Sequence, residues 1–208
     1  AVYHDVTEAK WAAKARDAGV AGLVAVNRRA GGHAGARDAV ALLEELLPFG
    51  LPVVCAGGIG DADEFARALR QGHAGAQVGT RFIATPECRA SDAYKQAILR
   101  VGEDDIVLTE RITGVPVAVI RTPYIERLGL AAGPLARWML RGHRRKHWMR
   151  TIYALRSLWQ LKRSLQDTAG AREYWQAGRS VATITDLVPA GEVVARFAAA
   201  ARSAGLLS

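Results

Sequence analysis

The sequence predicts an α/β protein built on parallel strands, and three observations carry that expectation. A short apolar run, a turn of polar or glycine residues and an amphipathic helix recur in that order four times before residue 102. The strand starts are spaced roughly 20 to 30 residues apart, the size of one βα unit. Two helix-to-strand entries, Ala18-Gly19-Val20-Ala21-Gly22 and Gly72-His73-Ala74-Gly75, have the same form of helix end, glycine stop and next strand. Successive units of this kind give parallel strands joined by right-handed crossovers, as in a barrel or an open doubly wound sheet.

The strands are expected at Val2–His4, Gly22–Val26, Pro52–Cys55 and Ala76–Val78, with helices over 7–18, 36–47, 61–71 and 91–101. The first helix is rich in alanine around Trp11, and small residues let a helix lie close on a sheet. The third has Asp61 at the N-cap position, Glu64 three residues on and Gly72 at its end. Beyond residue 102 the pattern changes. Val115–Ile120 reads as a short strand and Gly129–Pro134 as a break. A long helical stretch over 135–166 and a last helix over Gly191–Ser203 follow. Residues 1–102 thus form four βα units, and 103–208 a mostly helical extension packed on them.

Composition sets bounds on function. The chain has 208 residues, half of them apolar and 23% charged, which is globular usage rather than disorder. No apolar run reaches the roughly 18 residues of a membrane span, and the first residues lack the basic and apolar regions of a signal peptide. Two cysteines make no disulfide framework, which points to a reduced, cytoplasmic setting. The chain starts without Met inside a strand-like run, so further sequence is expected upstream. At 208 residues it is short for a complete eight-unit barrel of about 250 residues.

Charge is concentrated in one place. Of 28 basic residues nine fall in 137–163, which holds no acid; the rest of the chain has 19 basic groups against 20 acidic ones. Trp138, Trp148, Tyr153 and Trp159 interleave with these charges. The segment suits an anionic partner (an acidic carrier protein, a nucleotide or a nucleic acid) or an anionic membrane surface. It equally suits a wet surface helix whose aromatics pack inward. No specific nucleic-acid motif is present.

Ligands of parallel α/β folds sit beyond the C-terminal ends of the strands. Two strand ends here are glycine turns, Ala56-Gly57-Gly58-Ile59-Gly60 and Gly79-Thr80-Arg81. Glycine brings backbone N–H groups close to an anion, and a Thr hydroxyl adds a donor, so the pair suits a phosphate; tight structural turns also use glycine. The second strand ends in Asn27-Arg28-Arg29-Ala30-Gly31-Gly32-His33-Ala34-Gly35. A histidine set between glycines at this rim is a candidate general base, or a loop residue touching only water. His4 could face the same rim. His73 at a helix end suits the helix dipole as a cation. His143 and His147 lack the company a metal site needs, and Cys55 reads as a small buried hydrophobe. No metal site, P-loop or serine elbow is found.

At these residues the sequence resembles the nitronate monooxygenase family, formerly 2-nitropropane dioxygenases. The likeness rests on Ala30-Gly31-Gly32-His33-Ala34-Gly35, on Pro52-Val53-Val54-Cys55-Ala56-Gly57-Gly58-Ile59 and on Gly75-Ala76-Gln77-Val78-Gly79-Thr80-Arg81-Phe82. The continuation to Glu87, the pair Tyr94-Lys95 and the closing Tyr174-Trp175-Gln176-Ala177-Gly178 add to it. The resemblance implies a TIM-barrel fold, of which the four units match the second half of a (β/α)8 barrel followed by a helical C-terminal appendage. It implies FMN as cofactor, contacted by Gly31, Gly32, Gly57, Gly58, Gln77, Val78, Gly79 and Thr80. It makes His33 the catalytic base that deprotonates the carbon bearing the nitro group of a small-molecule substrate, with oxygen as oxidant.

The chain departs from the family where Gln-Gly-x-Glu commonly precedes Ala-Gly-Gly-His. Val26-Asn27-Arg28-Arg29 stands there instead, so that Val26 or Asn27 takes the place of a flavin-contacting Gln and Arg29 that of an acid. Charge alone makes Arg28 or Arg29 a candidate partner for the anionic nitronate. The expected activity is therefore FMN-dependent oxidation of alkyl nitronates or nitroalkanes. The alternatives are an NAD(P)H-dependent flavin reductase acting on an enoyl thioester or quinone, and a non-catalytic half barrel.

Overall fold

The computed structural model describes residues 1–112, 115–131 and 174–206. The expected helix over 135–166, with His143, His147 and the basic stretch 137–163, lies outside them. Four strands form one parallel sheet in sequence order: β1 (Tyr3–Val6), β2 (Gly22–Val26), β3 (Val53–Ala56) and β4 (Gly75–Gln77). The register pairs Tyr3 with Gly22, Leu23 with Val53 and Val54 with Gly75. Helices α1 (Ala9–Asp17), α2 (Ala39–Leu46), α3 (Ala62–Arg70) and α5 (Asp92–Arg100) fall within the expected spans. A one-turn helix, α4 (Thr80–Ile83), follows β4 directly.

β1 runs two residues past its expected end because Val6 is a core residue. The alternation of side chains across a strand places Val6, Leu23, Ala25 and Val53 on the helix side of the sheet. There they pack with Ala12 and Ala15 of α1 and with Leu42, Leu43 and Leu46 of α2. Ala12 and Ala15 are the buried residues of α1, and Trp11 stays outside. Burying each leucine contributes about 2 kcal/mol, so this layer fixes the strand register from one side.

Helix starts follow their capping residues. The carboxylates of Asp38 and Asp61 accept from the backbone N–H groups of Ala41 and Glu64 at 2.9 and 2.8 Å, and Ser91 accepts from Tyr94 N–H. The last helix, α7 (Ala190–Ser203), begins after Pro189, and the Glu87 carboxylate accepts from Ala190 N–H at 2.9 Å. It packs on α3, where Phe65 and Phe197 stack with ring centres 5.1 Å apart.

Residues after 102 include a second sheet. β5 (Ile106–Thr109) pairs antiparallel with β6 (Val117–Ile120), with Ile106 opposite Ile120 and Thr109 opposite Val117. β6 starts after Pro116, which has no N–H to give a ladder. A short helix, α6 (Pro123–Leu128), follows, capped by Thr122. The other edge of β6 bridges Gly32 and Gln176, with Ala118 N–H donating to the Gly32 carbonyl and Ile120 N–H to that of Trp175. The hairpin thereby locks the Gly31–Gly32 loop to the segment that begins at Tyr174.

Candidate active site

A cavity of about 730 Å³ opens beyond the C-terminal ends of the strands. The loop after β2 supplies Gly31, Gly32 and His33; the turn after β3 supplies Gly57 and Gly58; the end of β4 and the turn after it supply Gln77, Val78, Gly79 and Thr80. All nine residues singled out in the sequence therefore line one cavity. Val26, Arg29, Gln176 and Ser180 line it too, as do His4, Asp5, Thr7 and Trp11 from β1 and the start of α1. His33 is exposed at the mouth.

The turn after β3 is built for close backbone approach. Gly57 has φ +113°, and a Cβ on it would lie 2.4 Å from the backbone nitrogen of Ala30, so no other residue fits. Asn27, fully buried, clamps the same turn: its Nδ2 donates to the Gly57 carbonyl at 2.9 Å and its Oδ1 accepts from Arg29 N–H at 2.8 Å. The closing segment meets this region backbone to backbone. A Cβ on Gly178 would lie 2.7 Å from the Arg29 carbonyl oxygen, and Arg179 N–H donates to that oxygen at 2.9 Å. Gly178 N–H in turn donates to the Thr80 hydroxyl oxygen at 3.0 Å, which leaves the hydroxyl proton for an acceptor in the cavity.

Glu64 is the buried charge under the turn. Its Oε2 accepts from Gly60 N–H and from the Thr183 hydroxyl, each at 2.9 Å, and its Oε1 lies 3.4 Å from the Arg29 guanidinium. The same Arg29 nitrogen lies 3.4 Å from Glu103, which pairs with Arg179 at 3.2 Å. Two cations and two carboxylates thus neutralise one another beneath Gly58. Arg29 Nε is buried with no hydrogen-bond partner among the described residues, and lies 3.1 Å from where a Gly58 Cβ would stand.

The closing segment is held by aromatics. Tyr94 and Trp175 stack with ring centres 5.6 Å apart and planes 6° from parallel, and the Tyr94 hydroxyl donates to the Gln176 carbonyl. Burial, with smaller contributions from Cys88 and Tyr174, pushes the Tyr94 phenol up to about 12, so it keeps the proton it donates. Gln176 Nε2 donates to the Tyr174 hydroxyl at 2.7 Å.

Comparison with known proteins decides the family. The nitronate monooxygenase profile matches residues 1–199. The chain belongs to the nitronate monooxygenase family. Members and relatives of that family are flavin-dependent oxidoreductases. A carboxyl-CoA dehydrogenase of Mycobacterium tuberculosis, named for a 5-hydroxy-7a-methyl-1-oxo-octahydro-indene substrate, is 36% identical over 131 residues; the match covers 61% of this chain and 37% of that one. A nitronate monooxygenase of Paraburkholderia phytofirmans is 36% identical over 118 residues, covering 52% of this chain and 32% of its own. The chain thus spans about a third of the length of these relatives. Among solved structures, FabK of Thermotoga maritima superposes with a TM-score of 0.75 at 24% identity, covering 97% of this chain and 61% of that one. A nitroalkane oxidase of Streptomyces ansochromogenes superposes at 0.72 and 24%, covering 98% and 58%. These likenesses show the fold, an α/β architecture of the barrel type.

Within the family pattern, several sequence readings need correction. Arg29 is not a free cation facing a substrate; its guanidinium is committed to Glu64 and Glu103, and Arg28 is exposed and not among the residues lining the cavity. Asn27 is fully buried with its amide spent on the Gly57 carbonyl and on Arg29 N–H, and it is not among the residues lining the cavity; Val26 is the residue of this pair that lines it. His73 is not a dipole-stabilising cation. It is buried with its Nδ1 3.2 Å from the Ala68 carbonyl, and burial lowers its pKa and keeps it neutral. Cys55 matches its reading: burial pushes the thiol up to about 11, leaving it protonated and inert. Glu64, Ser180 and Gln176 were missed as site residues. Glu64 carried a signal, an acid three residues beyond an N-cap, but that pattern points to the helix start and not to the turn before it.

Among the described residues no helix is long and apolar enough to cross a membrane, and no cluster of His, Cys, Asp and Glu has the makings of a metal site.

Proposed function

We propose that the chain is the flavin-holding part of an FMN-dependent oxidoreductase that oxidises alkyl nitronates or nitroalkanes with oxygen. Residues 1–102 are then the second half of a (β/α)8 barrel and 103–208 its C-terminal extension. The observation that carries this reading is the convergence of both glycine turns and the Gly31-Gly32-His33 loop on one cavity.

The residues present suit a phosphate-bearing cofactor. The cavity lies within the roughly 300–1,000 Å³ range of small-molecule sites. At Gly79 a Cβ would meet no atom within 4 Å, so the backbone there is bare towards the cavity. Gly58 stands with φ +82° on the neutral Arg29–Glu64 base. Gly58 and the stretch Gln77-Val78-Gly79-Thr80 would hold the phosphate through backbone N–H groups and the Thr80 hydroxyl proton, with Gly31, Gly32 and Gly57 giving the ring system room to approach. When bound, FMN supplies the electron acceptor. The chain's own part is to orient the substrate at the mouth and to take a proton onto the His33 imidazole from the carbon next to the nitro group. The basic stretch 137–163 would serve as a docking face for an acidic carrier or an anionic surface.

A second reading has a specific observation behind it. The relative from Mycobacterium tuberculosis is named a carboxyl-CoA dehydrogenase, which supports a thioester as the substrate of the same cavity and base.

Visible absorbance of the purified chain titrated with FMN tests the flavin site. Stoichiometric uptake is expected, and its loss in Gly79→Val, whose side chain would fill the phosphate position without touching the fold. With flavin bound, His33→Ala is expected to slow oxygen consumption with a neutral nitroalkane by about 100-fold or more, and with its preformed nitronate far less, while flavin uptake stays unchanged. A folded chain that takes up no flavin sinks the reading for this chain alone and leaves the non-catalytic half barrel.

A further inference from the structure

The lip of the cavity formed by β1 and α1 plays no part in the proposed flavin site. Trp11 lies there, 42% exposed and lining the cavity. A single exposed aromatic is ordinary on a protein surface. Trp11 differs in what surrounds it. The ammonium groups of Lys10 and Lys14 lie 5.3 and 5.0 Å from its ring centre, within cation–π range. Lys10 also pairs with Glu8, whereas Lys14 makes no ion pair with any described residue. An electron-rich indole plane at a cavity mouth, flanked by two cations on long flexible stems, is complementary to a planar base that carries phosphates.

We propose that Trp11, Lys10 and Lys14 form a subsite for a phosphorylated adenine nucleotide whose reactive end reaches into the cavity. The subsite deepens the flavin reading above by naming the class of second ligand. The purine stacks on the indole. It displaces one ammonium from the ring face, and the freed lysine turns to a phosphate. Asp5 lines the cavity and repels a phosphate, whereas Lys10 and Lys14 stand by the ring outside the cavity lining, so the phosphates are assigned to the lysines. Two nucleotides have this chemistry and could meet the site: the tail of a CoA thioester, to which the carboxyl-CoA relative adds weight, and a reduced nicotinamide dinucleotide.

Calorimetric titration of the full chain with coenzyme A, NADPH and inorganic phosphate tests the proposal, with FMN uptake recorded on the same samples. At least one nucleotide is expected to bind. Trp11→Ala should weaken it about five-fold or more, the lower end of a lost base–aromatic stack, and Trp11→Phe should restore most of the affinity. Lys14→Glu, a surface change on an exposed helix face, should weaken binding and flatten its dependence on salt. Tighter binding of coenzyme A assigns the subsite to a thioester substrate, and tighter binding of NADPH to the reductant. The proposal is overturned if neither nucleotide binds, if Trp11→Ala and Lys14→Glu bind as tightly as the parent, or if inorganic phosphate accounts for all the binding. Flavin uptake without nucleotide binding removes the subsite and leaves the flavin site standing; nucleotide binding without flavin uptake does the reverse.

Discussion

The cavity has two walls of different construction. On the wall formed by the ends of β2, β3 and β4 and the segment from Tyr174 to Ile184, buried polar side chains bond other parts of the protein: Asn27 the Gly57 carbonyl, Glu64 the Gly60 N–H and the Thr183 hydroxyl, Thr80 the Gly178 N–H. On the wall formed by β1 and the start of α1, His4, Asp5 and Trp11 are exposed. The first wall holds its backbone through buried side-chain hydrogen bonds, and a bound phosphate needs such fixed donors. The second offers side chains whose rearrangement costs little, which suits a surface that selects among ligands. Precision and adaptability have been assigned to different parts of one site.

Substitutions can break that contrast or sharpen it. The largest effect is expected from Glu64→Ala. Removing this carboxylate takes the acceptor from the buried Gly60 N–H and from the Thr183 hydroxyl and leaves Arg29 with Glu103 alone, which should cost about 3 kcal/mol in urea unfolding. Gly57→Ala forces a Cβ against the Ala30 backbone in a left-handed conformation, with an expected loss of about 2 kcal/mol and weaker flavin uptake. Were either change tolerated without loss, the first wall would not be the rigid one.

A smaller effect depends on pH. Burial lowers the His73 pKa in the folded protein below its unfolded value of 6.5, so the unfolded chain binds more protons as acid is added. Stability should therefore fall as pH drops below about 6.5 and continue to fall until the folded pKa is reached. Replacing His73 with Gln should flatten that part of the unfolding profile. The smallest effect is expected from Asp5→Ala on the open wall, within about 0.5 kcal/mol of the parent by thermal unfolding. A large loss there would mean that both walls are structural.

The parallel units and the rim of glycines were legible in the sequence because each rests on a local signal. Apolar runs of strand length, an aspartate N-cap and a glycine stop are all short-range, and the Gly31-Gly32-His33, Gly57-Gly58 and Gly79-Thr80 turns stand at strand ends by position alone. What escaped depends on partners distant in the chain. Arg29 read as a free cation because Glu64 and Glu103 are 35 and 74 residues away. His73 read as a surface cation because burial by packing leaves no mark beside it in the sequence. β5 went unread since its four residues follow the acidic run Glu103-Asp104-Asp105 and pair only with a strand beyond the next loop.

The β5–β6 hairpin has a consequence for how this chain can change in length. Glu110 N–H donates to the Leu130 carbonyl at 2.9 Å, and Ile120 N–H to the Trp175 carbonyl at 2.9 Å. The described chain on either side of residues 132–173 is thus tied by backbone hydrogen bonds to the same two-stranded ribbon, at Leu130 and at Trp175. Closing a loop twice as long costs only about 0.6 kcal/mol more. A change of length between the two anchors is therefore expected to cost little in closure entropy, while backbone hydrogen bonds to β6 hold Gly32 and Trp175 in place.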